Sequence, residues 1–378
     1  MNDSSTYDVG IVGGGLAGLS LSIQLAKKGH SVILFEKESY PFHKVCGEYI
    51  SLESRDFIKS LGLSLDSLSL PGIDTLFLTA PNGKSFTTRL PLGGFGVSRY
   101  YLDNELAQIA KQHGVVIKER HKVDDVSYDQ LFNIKCGVDA YHVKVCCAAY
   151  GKRSNMDIKW KRDFLKKQDQ RLDNFVGVKY HIKTDWKENV IGLHNFENGY
   201  CGISKIEEDK YCLCYMTRAG NLKQCGNDIK RMEQEVLYTN PYLKKIFSTS
   251  SFMPGFPVTI SQISFSSKTP VENGILMLGD AAGMITPLCG NGMSIAFHTS
   301  KIAFSLIDNY LSGDSSLHEL EQHYTKEWNK HFARRLHTGR IIQQFFGKKS
   351  LSNLFVGSFK AMPFLAKPII RRTHGTPF

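Results

Sequence analysis

Hydrophobic and polar positions change texture three times along the chain, and each change predicts a different kind of element. Residues 7–12 form a short apolar run ending in Gly13, Gly14 and Gly15, which predicts a buried strand opening into a tight turn. Over 16–28 the apolar residues Leu16, Leu19, Ile23 and Ala26, with Leu25 beside them, recur at helical spacing. Gly29 is placed to close that helix in the left-handed conformation. Residues 31–35 predict a second strand. Strand, helix and strand of these lengths make a βαβ unit with parallel strands and a right-handed crossover.

Further along, 51–61 and 102–113 read as helices, and 72–78, 115–118, 132–136 and 143–149 as strands. Between about 155 and 265 polar and apolar residues alternate, as in 175–182, 190–194 and 211–216. That is the pattern of an antiparallel sheet with one wetted face, here interrupted by a helix near 227–237. Residues 274–278 are again a buried strand, followed by a glycine-rich turn and a helix starting near 292. From 300 onward the pattern is helical. The fold class is therefore α/β plus an antiparallel sheet. The nucleotide-binding domain is discontinuous, 1–154 and 266–310, and takes in parts of 40–100 near the active site. Residues 155–265 are an inserted antiparallel substrate domain, and 311–378 a helical, basic C-terminal region.

The length of 378 residues suits two or three units with shared cores, and 42% hydrophobic against 22% charged residues is the balance of a folded globule. Nine cysteines include no CxxC pair, and Cys146 and Cys147 lie in an apolar run, so they read as small buried hydrophobes. The histidines show no HxxxH or HExxH spacing, so no metal is expected. The N-terminus lacks a basic region leading into an apolar one, which favours a reducing, cytoplasmic setting.

Charge is uneven. Residues 321–378 hold 11 Lys and Arg against 2 Asp and Glu, whereas the first 320 hold 36 against 34. No recognition motif accompanies this basic tail, so nucleic acid is not expected. A solvated basic face, an acidic partner or an anionic membrane surface each fits. The run 355–372 mixes Phe355, Phe359, Met362, Phe364 and Leu365 with Lys360, Lys367, Arg371 and Arg372. Its prolines and lysines forbid a spanning helix; it docks on the body or lies on a membrane surface, through 350–378.

Gly13, Gly15 and Gly18 after the first strand, with Glu36 at the end of the second, make up a full dinucleotide fingerprint. Gly13 permits the turn, Gly15 lets the main chain approach a pyrophosphate, and Gly18 lets helix and strand touch. The first helical turn, with Leu16 and Ala17, presents free N–H groups and the positive end of the helix dipole. Glu36 can accept both ribose hydroxyls; Lys37 and Val123 are counted with this site. The fingerprint defines an ADP moiety and leaves the rest of the cofactor open.

A second fingerprint decides it. Residues 275–296 read ILMLGDAAGMITPLCGNGMSIA, and Gly279, Asp280, Ala281, Ala282, Gly283, Pro287, Gly290 and Gly292 match the GDAAGxxxPxxGxG segment of a known superfamily. The chain resembles FAD-dependent oxidoreductases of the geranylgeranyl reductase and aromatic hydroxylase (p-hydroxybenzoate hydroxylase-like) superfamily over residues 7–300. The resemblance implies a Rossmann-like FAD-binding domain of the glutathione-reductase type. Asp280 would bind the ribityl chain, and the turn of Gly290, Asn291 and Gly292 would pass beside the flavin N1 and O2. Arg99 would reach the cofactor from ahead of its helix. Lys44, Val45, Cys46, Gly47 and Glu48 resemble the PxxKxCGE segment of the reductase branch, placing Lys44, Cys46 and Gly47 along the flavin.

The chain also departs from the family. Tyr150 stands where an Asp-Gly pair usually carries its acid. Gly202, Ser204 and Lys205 replace the bulky residues of the GGYGWxFP segment, although Tyr200 agrees. The WxWxIP and lysine signatures of the halogenases are missing, so halogenation is not expected. The expected reaction is reduction of carbon–carbon double bonds in a hydrophobic, isoprenoid- or lipid-like small molecule, by hydride from reduced FAD. The alternative is an FAD-dependent monooxygenase that hydroxylates an aromatic or polyketide-like substrate through a C4a-hydroperoxide; a non-catalytic flavin-containing module is a minor third. NADPH or NADH would be the electron donor, or else a redox donor protein. Cys46 and Tyr200 are the candidate catalytic residues.

Overall fold

The apolar run before the glycines forms the centre of a parallel sheet, because residues buried on both faces leave only backbone to pair sideways. In the computed structural model, residues 6–166, 174–286, 290–345, 348–362, 364, 366–373 and 375–378 are described. The strands are β1 (Thr6–Val12), β2 (Val32–Glu36), β3 (Tyr49–Ser51), β4 (Gly72–Thr79), β5 (Ser85–Gly96), β6 (Val116–Glu119), β7 (Asp125–Asp129), β8 (Leu131–Cys136), β9 (Asp139–Ala148), β10 (Phe175–Lys183), β11 (Val190–Phe196), β12 (Gly199–Lys205), β13 (Tyr211–Arg218), β14 (Ser251–Phe252), β15 (Val258–Ile263), β16 (Val271–Glu272) and β17 (Ile275–Met277). The helices are α1 (Leu16–Lys27), α2 (Arg55–Ser60), α3 (Arg99–Gln112), α4 (Asn155–Lys159), α5 (Asp163–Lys166), α6 (Ala219–Gln224), α7 (Ile229–Glu235), α8 (Pro241–Thr249), α9 (Gly292–Leu311), α10 (Leu317–Trp328), α11 (Arg334–Phe345), α12 (Lys349–Ala361) and α13 (Ala366–Thr373).

The first sheet runs β16-β17-β9-β1-β2-β6, with β7 and β8 continuing from β9. β1 pairs in parallel with both β2 and β9, and β17 extends the parallel set from β9. Residues from both ends of the chain thus meet in one core, in which Ile11, Leu34, Cys146, Cys147 and Phe297 are fully buried.

The second sheet runs β14-β10-β13-β12-β11-β4-β5-β3, with β15 on β10. Three of its features differ from the sequence reading. Three of its strands come from within residues 49–96, and β11 pairs with β4 in parallel. Alternation names the faces of a strand and says nothing of its neighbour. The polar face is also not wetted, since β10 is buried at eight of its nine positions. Its apolar face packs on α7 and α8 through Val178, Tyr180, Met232 and Leu243. Its polar face, carrying Lys179 and His181, is covered by the segment that precedes β3.

The tail docks on the second sheet. Val356, Phe359 and Ile370 join Tyr49, Leu78 and Phe86 in one cluster. Leu354 and Phe364 stay outside it, 69% and 66% exposed. No described helix is long and apolar enough to cross a membrane.

Candidate functional site

The glycine positions of the 13–18 turn are sterically closed to side chains except at Gly15, where a ligand would lie. A Cβ on Gly13 would fall 2.5 Å from the Ala149 carbonyl oxygen, and one on Gly18 would fall 2.1 Å from that of Gly13. At Gly15 the nearest atoms to such a Cβ are Arg99 Nη2 at 3.5 Å and Lys44 Nζ at 3.7 Å. The N-terminus of α1 has no side-chain cap. An open space bordered by two cations and by uncapped N–H groups fits a pyrophosphate. Glu36 is buried at the end of β2 and accepts from the N–H of Gly14 at 3.0 Å and of Glu38 at 3.1 Å. Leu16 and Ala17 are buried, Val123 is part of the main core, and Lys37 is turned outward toward Glu38.

The two fingerprints meet. A Cβ on Gly279 would lie 3.5 Å from that of Ala17, so the Asp280 turn adjoins the start of α1. Among the described residues the Asp280 carboxylate makes no side-chain hydrogen bond. Burial raises its pKa, against the opposing charges of Lys152, Lys268 and Arg99. Gly290 is left-handed, with φ +65°, and its Cα faces the Tyr49 ring. Asn291 is buried and Gly292 opens α9. Gly283 is placed elsewhere: a Cβ there would meet Leu336 at 3.0 Å and Trp328 at 3.2 Å, so it serves packing of the helical tail. Pro287 lies outside the described residues.

Between the two lies a strap, residues 44–48, whose carbonyls are caught one by one. Lys179 Nζ donates to the Lys44 carbonyl at 3.1 Å, Lys152 Nζ to that of Val45 at 2.8 Å, and Cys212 Sγ to that of Cys46 at 3.2 Å. Ser204 Oγ donates to the Gly47 carbonyl at 3.2 Å and the Val97 N–H to that of Glu48 at 3.0 Å. Among the described residues the N–H groups of Cys46 and Gly47 have no acceptor, and a Cβ on Gly47 would meet open space. Two donors over open space fit the polar edge of a flavin ring. Arg99 grips Asp103 through two bonds of 2.7 Å, and Lys44 stands 3.1 Å from the same carboxylate. Arg99 therefore both forms an ion pair and lines the space above Gly15, and the Asp103 side of that pair is buried.

Register sets the floor of the site. Tyr200 pairs with Met216, Gly202 with Cys214 and Ser204 with Cys212; on the other side Gly177, Lys179 and His181 pair with the same three residues of β13. All nine share one face. Ser204, Cys212, Lys179 and His181 touch the strap or Glu48. At the far end Tyr200 and Met216 cluster with Phe265 and with Met284 of the second fingerprint. In the middle row Gly202 and Cys214 are only half-buried, and a Cβ on Gly202 would meet nothing closer than 3.7 Å. The face thus has a polar end, a gap and an apolar end. Tyr200 lies at the other end of the face from Ser204, the β12 residue that holds the Gly47 carbonyl, four residues or about 13 Å along the strand.

Glu48, in the left-handed region at φ +56°, is the hub of the polar end. Its Oε1 accepts from Lys179 Nζ at 2.5 Å and from the Arg99 N–H at 2.8 Å, and its Oε2 lies 2.6 Å from His181 Nε2. His181 meets the His43 ring edge-on, and His43 stacks on Tyr100 at the surface. Glu48, His181 and Cys212 are close enough to ligate a cation. Lys179 already supplies the positive charge there, and burial holds the Cys212 thiol well above its ordinary pKa, so the group is a charge network.

Glu48 lies inside the Lys44–Glu48 motif, but nothing in that motif marks it as the partner of Lys179 and His181. The polar contacts at Tyr150 are likewise made by residues further along the chain. The Tyr150 hydroxyl donates to Asp157 at 2.6 Å, and Asp157 pairs with the buried Arg162 at 3.0 Å. Arg162 in turn donates to the Ala281 carbonyl at 2.9 Å, joining the loop after β9 to the second fingerprint.

A family model described as an NAD(P)-binding Rossmann-like domain matches residues 11–45, and one described as squalene epoxidase matches 208–370. The chain is similar to Conditioned medium factor receptor 1 of Dictyostelium discoideum, 25% identical over 91% of this chain and 71% of that protein. It is also similar to Digeranylgeranylglycerophospholipid reductase 1 of Methanococcoides burtonii, 23% identical over 90% and 84%. A solved flavin-dependent brominase shares the fold, with a TM-score of 0.76 at 21% identity over 98% of this chain and 93% of that one. Fold and site define an FAD-binding oxidoreductase. The chain is related to the superfamily of geranylgeranyl reductases and p-hydroxybenzoate hydroxylase-like flavin monooxygenases.

Proposed function

We propose that the protein is an FAD-dependent monooxygenase acting on an apolar, isoprenoid- or lipid-like molecule. Bound FAD supplies the two-electron chemistry that no side chain can perform. Gly13, Gly15, Gly18 and the start of α1 hold the pyrophosphate, with Lys44 and Arg99 balancing its charge. Glu36 takes the ribose and Asp280 the ribityl chain. The turn of Gly290, Asn291 and Gly292 and the N–H groups of Cys46 and Gly47 bracket the ring. The substrate occupies the gap over Gly202 and Cys214.

The observation that carries the reading is the apolar end of the β12–β13 face, where Tyr200, Met216, Phe265 and Met284 are buried in one cluster that would shield an apolar chain from water. Tyr200 orients the substrate there. The squalene epoxidase match over 208–370 supports oxygen insertion over the reduction expected from sequence. The second reading, reduction of a double bond, is favoured by the strap, whose Cys46 would stand beside the reacting atoms. Reduced enzyme mixed with ¹⁸O₂ and a polyisoprenoid tests both. Label in the product supports monooxygenation; a product two hydrogens heavier, formed without oxygen, replaces it with reduction. NADPH or NADH, or a redox donor protein, supplies the electrons.

The protein works in the cytoplasm against an anionic membrane surface, through residues 350–378. Leu354, Met362 and Phe364 are exposed beside a basic helical tail, which suits collecting a lipid-like substrate.

A further inference from the structure

We propose that Lys268 is a positioning residue for the flavin, tying the Asp280 turn to the loop after β9 so that the Asp280 carboxylate is presented to the cofactor. The inference rests on FAD lying in the cradle described above. Lys268, between β15 and β16, is buried. Its ammonium donates to the Asp280 carbonyl at 3.0 Å and to the Lys152 carbonyl at 3.2 Å, and lies 4.9 Å over the Phe164 ring. Among the described residues no carboxylate pairs with it. A buried ammonium without an ion pair is costly, and its hydrogen bonds among the described residues go to these two carbonyls.

Arg162 completes the clamp. It is 1% exposed, and it holds the next carbonyl, Ala281, at 2.9 Å and the Thr269 carbonyl at 3.0 Å. Successive carbonyls of the Asp280 turn are each fixed by a buried cation from behind. The Asp280 carboxylate, bonded to nothing described, is left for a ligand hydroxyl.

The groups facing Lys268 are Asp157 of α4, Arg162, and Asp280 on the turn; the Lys152 side chain is engaged with the Val45 carbonyl. Burial pulls the Lys268 pKa down to about 8, with Asp157 and Asp280 opposing and Arg162 assisting. The unfolded chain holds this proton up to about pH 10.4. Between those values the unfolded state binds more protons, so the fold gains stability as pH rises. The clamp behaves in the opposite sense. A neutral amine binds carbonyls less strongly than an ammonium, so FAD affinity falls as pH rises through 8.

The test measures FAD dissociation by flavin fluorescence from pH 6.5 to 9.5, with thermal unfolding of the cofactor-free protein alongside. Wild type should lose about tenfold in affinity across the window while its unfolding temperature does not fall. Lys268→Met should bind about tenfold more weakly at pH 7, with a flat profile, and Lys268→Arg should keep neutral-pH affinity, also flat. Calorimetry in buffers of different ionisation heat should show proton uptake on FAD binding near pH 8, a measurement that needs no variant. A pH profile shared by wild type and Lys268→Met, or no proton uptake, overturns the proposal. Wild type that takes up no FAD at any pH overturns the cradle beneath it instead.

Discussion

Glu48 Oε1 and Lys179 Nζ meet at 2.5 Å with neither side chain reached by solvent, although 131 residues separate them in sequence. Removing one partner strands the other charge in the interior. Lys179→Met should therefore destabilise the fold by about 3–5 kcal/mol in urea unfolding. Burial would raise the Glu48 pKa, but Lys179 and His181 outweigh it and bring it to about 2, below its ordinary 4.5. The stabilisation is full above pH 4.5 and is lost as pH falls through 2. Acid unfolding of Glu48→Gln should lack that component; an unchanged acid limb would show the pair to be energetically silent.

Glu36 offers the sharpest probe of the ADP half. If Glu36 takes the ribose as proposed, Glu36→Gln removes the buried charge that accepts its hydroxyls, so the FAD dissociation constant should rise about 10- to 100-fold, with the circular dichroism spectrum retained. Unaltered FAD affinity would place the ribose elsewhere.

Gly18→Val should yield colourless protein. Its Cβ would stand 2.1 Å from the Gly13 carbonyl oxygen, so α1 must retreat from the turn it is meant to complete. Flavin content per mole of purified chain measures this directly. Stoichiometric flavin in that variant would mean the close approach is dispensable.

Gly202→Trp should fill the half-buried row between the strap and Tyr200. FAD content should hold while kcat/KM for an apolar substrate falls about tenfold or more. Undiminished turnover would move the substrate away from this face.

Leu354→Ser with Phe364→Ser should cut pelleting with anionic vesicles several-fold without altering the melting temperature, because neither side chain packs on the body. Equal pelleting would leave the basic tail as a solvated face.

Much of the site could be read from residue types because backbone sterics dictate them. Gly13, Gly15, Gly18 and Glu36 announce their geometry in 24 consecutive residues, and Gly279 through Gly292 do so again. The polar hub could not be read that way. Nothing near Glu48 in sequence names Lys179 or His181 as its partners, and their alternation with valine and tyrosine resembled that of a wetted strand. The same holds for Arg162 and Lys268, which act on carbonyls more than 100 residues away or across a turn. The β4–β11 pairing was hidden for a related reason: alternation fixes which face a side chain takes and leaves the neighbouring strand unspecified. Gly283 shows the converse. It matches a cofactor motif, yet its contacts are with Trp328 and Leu336.

The strap's five carbonyls have a consequence for anyone exchanging parts among relatives. Although residues 44–48 follow the nucleotide-binding βαβ unit in the chain, their anchors sit on β10, β12 and β13 and at Lys152 and Val97. A hybrid cut just after β3 would inherit a strap shaped for someone else's sheet, and the N–H groups of Cys46 and Gly47 would drift. The natural seam for grafting a new specificity therefore runs ahead of Lys44, so that the segment travels with the sheet that holds it.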